Sequence, residues 1–179
     1  MNMNTETFNS ARLRYRKPSA TDIPAIFDGW ASDEEATQWM GWKRHESYED
    51  TREFIRMSDQ LWEDHKAGPL LVELLADGSI IGSAGLTYTE PGEVELGYIF
   101  TKPFWGRGYA SETVLALLDY ARRCDFSRVV ARAHEDNQAS AHILLKHGFV
   151  VPDEPLPRGS CPNMGCQDYE QLDYEFVLA

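Results

Sequence analysis

The stretch Glu95-Leu-Gly-Tyr-Ile-Phe-Thr-Lys-Pro-Phe-Trp-Gly-Arg-Gly-Tyr-Ala-Ser-Glu112 concentrates the chemistry of this sequence. Gly106 and Gly108 stand just ahead of a helical pattern. A glycine turn that enters a helix presents unpaired backbone N–H groups, and the helix dipole adds partial positive charge at the same point. Such a turn suits a phosphate or pyrophosphate. The two glycines remove side chains where an anion must approach the backbone, and Arg107 places a cation beside them. Two common nucleotide patterns are absent: Gly-x-x-x-x-Gly-Lys-Ser/Thr does not occur, and Gly106-x-Gly108 lacks the third glycine of the dinucleotide fingerprint.

Metal chemistry is not expected. His134, His142 and His147 are irregularly spaced for one helix face, the last two being five apart rather than four. Cys161-x4-Cys166 comes without a neighbouring His or a second Cys pair and reads as two loop thiols. With Cys124 the cysteine count is odd, and residues 1–10 lack the basic flank and apolar run of a secretory signal, so a reducing cytoplasm is the expected setting.

The elements that must hold the glycine turn follow from periodicity. Arg12, Arg14 and Arg16 alternate with Leu13, Tyr15 and Lys17, which predicts a first strand with one basic face, ended by Pro18. Thr21 is expected to cap a short helix over 22–30, where Ile23, Ile26, Phe27 and Trp30 make an apolar stripe. A second helix is predicted from Tyr48 to Lys66, stopped by Gly68-Pro69. The period then changes to extended: 70–76 and 79–89 flank the hairpin signal Asp77-Gly78, and 94–101 follows the turn at Pro91-Gly92. Ala110, Val114, Leu117, Leu118 and Ala121 mark a long amphipathic helix, 128–133 a strand, and 137–147 a last helix closed by Gly148. Phe149 to Val151, an irregular loop and a strand near 172–178 complete the chain.

This order fits one domain over residues 1–179, with a flexible start over 1–9. The expected α+β architecture is a single mixed, mostly antiparallel sheet of about seven strands with about four helices. Strand, glycine turn, helix and strand form a right-handed crossover whose strands are parallel. The meander before it conflicts with a doubly wound dinucleotide fold.

Read in order, Ile81-Gly-Ser-Ala-Gly-Leu86, Glu95-Leu-Gly-Tyr98, Trp105-Gly-Arg-Gly-Tyr-Ala-Ser-Glu112, Asn137-x-x-Ser140 and Lys146-His-Gly-Phe149 resemble the GNAT superfamily of N-acetyltransferases, and within it the ribosomal-protein type called RimJ/RimL. The resemblance runs over nearly the whole chain. It implies that Trp105, Gly106, Arg107, Gly108, Tyr109, Ala110 and Ser111 hold the pyrophosphate of acetyl-CoA, the co-substrate. It implies too that the backbone of Tyr98, Ile99 and Phe100 pairs with the pantetheine arm, and that Asn137 hydrogen-bonds the arm. Trp105 departs from the Gln or Arg usual at its position; the phosphate donors are backbone groups, so the cradle is expected to survive.

Transfer requires the acceptor amine to lose a proton before attack on the thioester. At pH 7 this costs about 1 kcal/mol for an α-amine and about 4.6 kcal/mol for a lysine. Glu95 resembles the carboxylate that family members use as base, directly or through water. Asn137, Ser140 and Leu144 share one helix face. Leu144 stands where many relatives carry a tyrosine acid, so Ser140 is the expected donor to the leaving thiolate. Trp39, Trp42 and Tyr48 lie between the first two helices, where the family builds its acceptor site.

With 17 Lys and Arg against 29 Asp and Glu, the net charge of −12 disfavours nucleic acid and favours a cationic acceptor, a basic protein N-terminus or a small amine. No apolar run is long enough for a membrane span. The chain is expected as a monomer or homodimer, and the alternative class is a non-catalytic acyl-CoA-binding module.

Overall fold

Alternation of apolar and polar residues builds the sheet. The computed structural model describes residues 7–153, 160–165 and 171–178. Seven strands lie side by side in chain order: β1 (Thr7–Asn9), β2 (Leu13–Arg16), β3 (Pro69–Leu74), β4 (Ile80–Glu90), β5 (Glu93–Phe100), β6 (Arg128–His134) and β7 (Gln171–Val177). Every neighbouring pair is antiparallel except β5 and β6, which the crossover makes parallel. Five α-helices cover the sheet: α1 (Ile23–Ile26), α2 (Glu34–Thr37), α3 (Tyr48–His65), α4 (Tyr109–Arg123) and α5 (Gln138–Lys146).

Two apolar clusters separate the layers. Val94 and Leu96 of β5 pack with Val114, Leu117 and Leu118 of α4 and with Ala141 and Leu144 of α5. On the opposite face Leu71 and Ile99 pack with Ile23, Ile26, Trp30 and Ile55 from the first half of the chain. Each fully buried Leu or Ile contributes roughly 1.5–3 kcal/mol. The two faces of β5 thus carry different residues, even-numbered positions toward α4 and α5 and odd-numbered ones toward α1 and α3.

Several boundaries differ from expectation. Thr7–Asn9, placed in a flexible start, form β1 and pair with Arg14 to Arg16. The helix expected over 22–30 is α-helical only over Ile23–Ile26, between a 3-10 turn at Ala20–Asp22 and a π turn at Phe27–Ala31. Its cap is Ser19 rather than Thr21, because the Asp22 carboxylate accepts from the Ser19 N–H at 2.8 Å and closes a capping box. The π turn presses Gly29 onto the end of β5, where an added Cβ would lie 3.3 Å from Thr101 Cγ2. Four-residue α2 escaped the period-based reading and makes the helices five rather than four. Lys66, not Gly68, takes the left-handed position that ends α3 (φ 54°). Val150 adds an isolated bridge to Glu175.

The basic face of β2 is neutralised in place. Arg16 donates to both oxygens of Asp22 at 2.8 and 2.9 Å and to Glu73 at 2.6 Å. Arg12 spans 100 residues to Glu112 in the first turn of α4: its backbone N–H and its Nε each donate to the carboxylate at 2.7 Å, and Ser10 Oγ donates at 2.6 Å. Burial alone would raise the Glu112 carboxyl, but these hydrogen bonds from Ser10 and Arg12 hold it below the usual range.

Because the folded value is lowered, this contact stabilises fully above the unfolded pKa of about 4.3 and is lost as pH falls through the folded value. Glu112→Ala is expected to cost about 2 kcal/mol in urea unfolding at pH 7, with the gap to wild type closing as the pH is taken below about 4.

Candidate active site

The parallel register of β5 and β6 runs from Glu93↔Arg128 to Leu96↔Ala131 and stops there, although β5 continues to Phe100 and β6 to His134. On its other edge β5 stays paired with β4 as far as Gly82↔Phe100. The two strands therefore part after Leu96. Gly82 lets β4 hold β5 this closely, since a Cβ there would fall 2.2 Å from the Ile99 carbonyl. Thr101 N–H bonds the Ile81 carbonyl at 2.9 Å, so by alternation the peptides of Tyr98 and Phe100 point away from β4, into the opening. The Phe100 carbonyl is taken by the Trp105 indole N–H at 2.6 Å, which ties the glycine turn to the strand end. Trp105 thus has a structural use that the departure from Gln or Arg did not reveal.

The glycine turn closes one end of the opening. Gly106 and Gly108 have φ of 71° and 80°, a region where a side chain is strained, and no heavy atom lies within 3.4 Å of where either Cβ would be. Gly108 caps α4 without a side-chain bond, and the first intrahelical bond is Glu112 N–H to the Gly108 carbonyl. The N–H groups of Tyr109, Ala110 and Ser111 precede it and face outward at the positive end of a helix of 15 residues. Arg107 lies over the Phe104 ring, and Arg12 stacks on Tyr109 at 4.4 Å while donating to the Arg107 carbonyl. Two cations flank the turn. The Ser111 hydroxyl meets His147 at the end of α5, leaving Ser111 its backbone N–H for an anion.

Glu95 and Ser140 lie on opposite faces of the sheet at this opening. Glu95 shares the odd face with Ile99, and Arg132 Nη1 donates to its Oε2 at 2.8 Å. Arg132 Nε, 3.8 Å from Asp173, is buried without a hydrogen-bond partner. Burial pushes the Glu95 carboxyl up, opposed by Arg132 and aided by Asp173 and Glu93. Across the sheet, Asn137 caps α5 by accepting from the Ser140 N–H at 3.2 Å, and Ser140 Oγ meets the Tyr98 hydroxyl at 2.9 Å. Leu144, one turn on, is buried in the core. The Tyr98 side chain and Arg132 are the site groups that sequence reading missed; both depend on partners 42 and 37 residues away.

The three aromatic residues expected at the acceptor site are dispersed. Trp39 packs on His134 at the end of β6, ring centroids 4.8 Å apart, and so reaches the face that carries Glu95. Trp42 leans on His45, half-exposed. Tyr48 instead joins α3 to the π turn, donating to Asp28 at 3.1 Å and meeting Phe27 edge-on. The loop of Trp39 and Trp42 is pinned by Asn163, whose Nδ2 donates to the Thr37 and Trp42 carbonyls, and by Cys161, whose thiol donates to the Trp39 carbonyl. Cys166 lies outside the described residues, among which no three His, Cys, Asp or Glu side chains converge to hold a metal ion. Among the described residues no helix is long and apolar enough to cross a membrane. A groove of about 500 Å³ along α2 is lined by Asp33, Glu34, Glu35 and Lys102, the lysine bridging Glu35 at 2.8 Å and Asp33 at 3.4 Å.

Residues 12–150 match the acetyltransferase (GNAT) domain family. The chain belongs to that family and is an N-acetyltransferase by its relatives. It is 29% identical over 147 residues to an uncharacterized N-acetyltransferase, p20, of Bacillus licheniformis, covering 80% of this chain and 82% of that one. It is 26% identical over 118 residues to the ribosomal-protein-serine acetyltransferase of Escherichia coli, covering 64% and 65%. The same fold occurs in the ribosomal-protein alpha-N-acetyltransferase RimL solved with coenzyme A: TM-score 0.80, 23% identity, 97% of this chain and 98% of that one.

Gly108→Glu puts a bulky carboxylate where the N–H groups converge. Titration calorimetry with coenzyme A is expected to show binding weakened at least tenfold, about 1.4 kcal/mol, relative to wild type.

Proposed function

We propose that this chain transfers acetyl from acetyl-CoA to a primary amine by direct attack in a ternary complex. The observation that carries this reading is the opening after Leu96, with an anion cradle at one end and a base candidate and a hydroxyl donor on its two faces. The residues fit the co-substrate: the Gly106 and Gly108 positions leave room, and the N–H groups of Gly108, Tyr109, Ala110 and Ser111 would meet the pyrophosphate beside Arg107. The peptides of Tyr98 and Phe100, with Ile99 between them, would pair with the pantetheine arm, and Asn137 Nδ2 would reach it from the cap of α5.

Acetyl-CoA, when bound, supplies the thioester carbonyl that the amine attacks. Glu95 accepts the proton of the amine, directly or through water. Its burial favours this, because a carboxyl raised toward neutrality is a stronger base than one in water, while Arg132 keeps it ionised. Ser140 donates its hydroxyl hydrogen bond to the sulfur as the C–S bond breaks. Trp39 borders the amine's path on the Glu95 face.

An α-amine is the acceptor that demands least of such a base, which agrees with the relatives' named action on ribosomal proteins. The net charge of −12 and the carboxylates along α2 support a cationic acceptor, a basic N-terminus or small amine in the cytoplasm.

Activity needs Glu95 ionised, so kcat/KM is expected to fall as pH drops through a pKa above the ordinary carboxylate range. Glu95→Gln should lose that limb and about 10²–10⁴ in kcat/KM, measured as CoA release with basic and neutral peptides and polyamines. Coenzyme A binding without transfer to any amine of the panel would make the chain a non-catalytic acyl-CoA module instead.

A further inference from the structure

Ser140 is the hydroxyl that α5 offers to the opening, and a serine hydroxyl is a rotor whose hydrogen takes whatever direction its surroundings set. Its backbone is already fixed by the Asn137 cap at 3.2 Å. Its oxygen is fixed from below. Tyr98 stands two residues beyond Leu96, the last β5 residue paired with β6, and its even-numbered position sends the side chain toward α4 and α5, where it packs partly against the core. The phenol oxygen reaches Ser140 Oγ at 2.9 Å.

We propose that Tyr98 is a positioning residue for Ser140: its phenol donates to Ser140 Oγ and turns the serine hydrogen into the opening, toward the sulfur of the departing thiolate. This rests on the reading that Ser140 serves the leaving group. One lone pair of Oγ accepts from Tyr98, so the serine hydrogen must point elsewhere, and the opening is the direction in which a new acceptor arrives. The C–S bond breaks with its electron pair going to sulfur, the Ser140 hydrogen bond holds that charge, and no proton leaves Tyr98. Burial raises the Tyr98 hydroxyl above its ordinary range, opposed by the bond to Ser140, so the phenol stays protonated and keeps its donor role through neutral pH. A tyrosine on β5 thereby sets up the hydroxyl of α5 on a helix face where position 144 is leucine.

The test is the single-turnover rate of acetyl transfer to hydroxylamine, read as free CoA thiol, for wild type, Tyr98→Phe, Ser140→Ala and the double variant. Hydroxylamine is largely unprotonated at neutral pH, so the measurement bypasses Glu95. Tyr98→Phe is expected to slow transfer about tenfold, with coenzyme A affinity by calorimetry within about twofold of wild type. The double variant is expected to be no slower than Ser140→Ala alone, the signature of two groups acting through one another. Wild-type rate in Tyr98→Phe with a slow Ser140→Ala overturns the proposal and leaves the role of Ser140 standing. Effects that multiply in the double variant overturn it too, as does weakened coenzyme A binding with an unchanged saturated rate. An unimpaired Ser140→Ala removes the role of Ser140 and this proposal with it, and no transfer by wild type to hydroxylamine or to any amine of the panel removes the acetyltransferase mechanism on which both rest.

Discussion

The parting of β5 and β6 is the constraint on which the rest of the molecule depends. Two parallel strands that kept their register to the end would leave no exposed peptide edge at the centre of the sheet and no passage between its faces. Here β5 is held along its whole length by β4, with Gly82 permitting the close approach, while its pairing with β6 ends at Leu96. The freed carbonyl of Phe100 is not abandoned. The Trp105 indole takes it and in doing so brings the glycine turn to the end of the opening. Helix α4 then points its N-terminus at the same place, and Arg12 ties that terminus to the strand at the far side of the sheet through Glu112.

Opposite faces of one strand separate the two halves of the proposed chemistry. Odd positions of β5 carry Glu95 into an ion pair with Arg132, near Asp173 and below the loop of Trp39. Even positions carry Tyr98 to Ser140 under α5. The carboxylate proposed to accept a proton and the hydroxyl proposed to donate are kept apart by the thickness of the backbone.

How much of this could be read in the residues depends on the range of the forces involved. The hairpin at Asp77-Gly78, the stripe of α4 and the last helix are local, and the structure has them where periodicity and turn chemistry put them. Glycines 106 and 108 announced a turn before a helix, and both take positive φ. What escaped is what needs a distant partner. Thr7–Asn9 has no alternation long enough to mark a strand and exists because Arg14 to Arg16 stand beside it. Asp22 moved the helix start to Ser19 through a side-chain bond that spacing alone does not distinguish from a Thr21 cap. Tyr48 is aromatic and half-exposed, as an acceptor contact would be, yet its hydroxyl is engaged with Asp28. Type and spacing identify a residue's capability; the partner that uses it comes from packing.

The order of the seven strands in space is their order in the chain, with the single bridge of Val150 beyond β7. As the polypeptide emerges during synthesis, each strand as far as β6 meets its neighbour already at the growing edge, whereas β7 must enter between β6 and Val150, whose backbone bridges Glu175. The first five strands are joined by antiparallel contacts and can accumulate before α4 exists. The parallel step to β6 must wait for the whole crossover, which places the making of the cleft late in the life of the nascent chain.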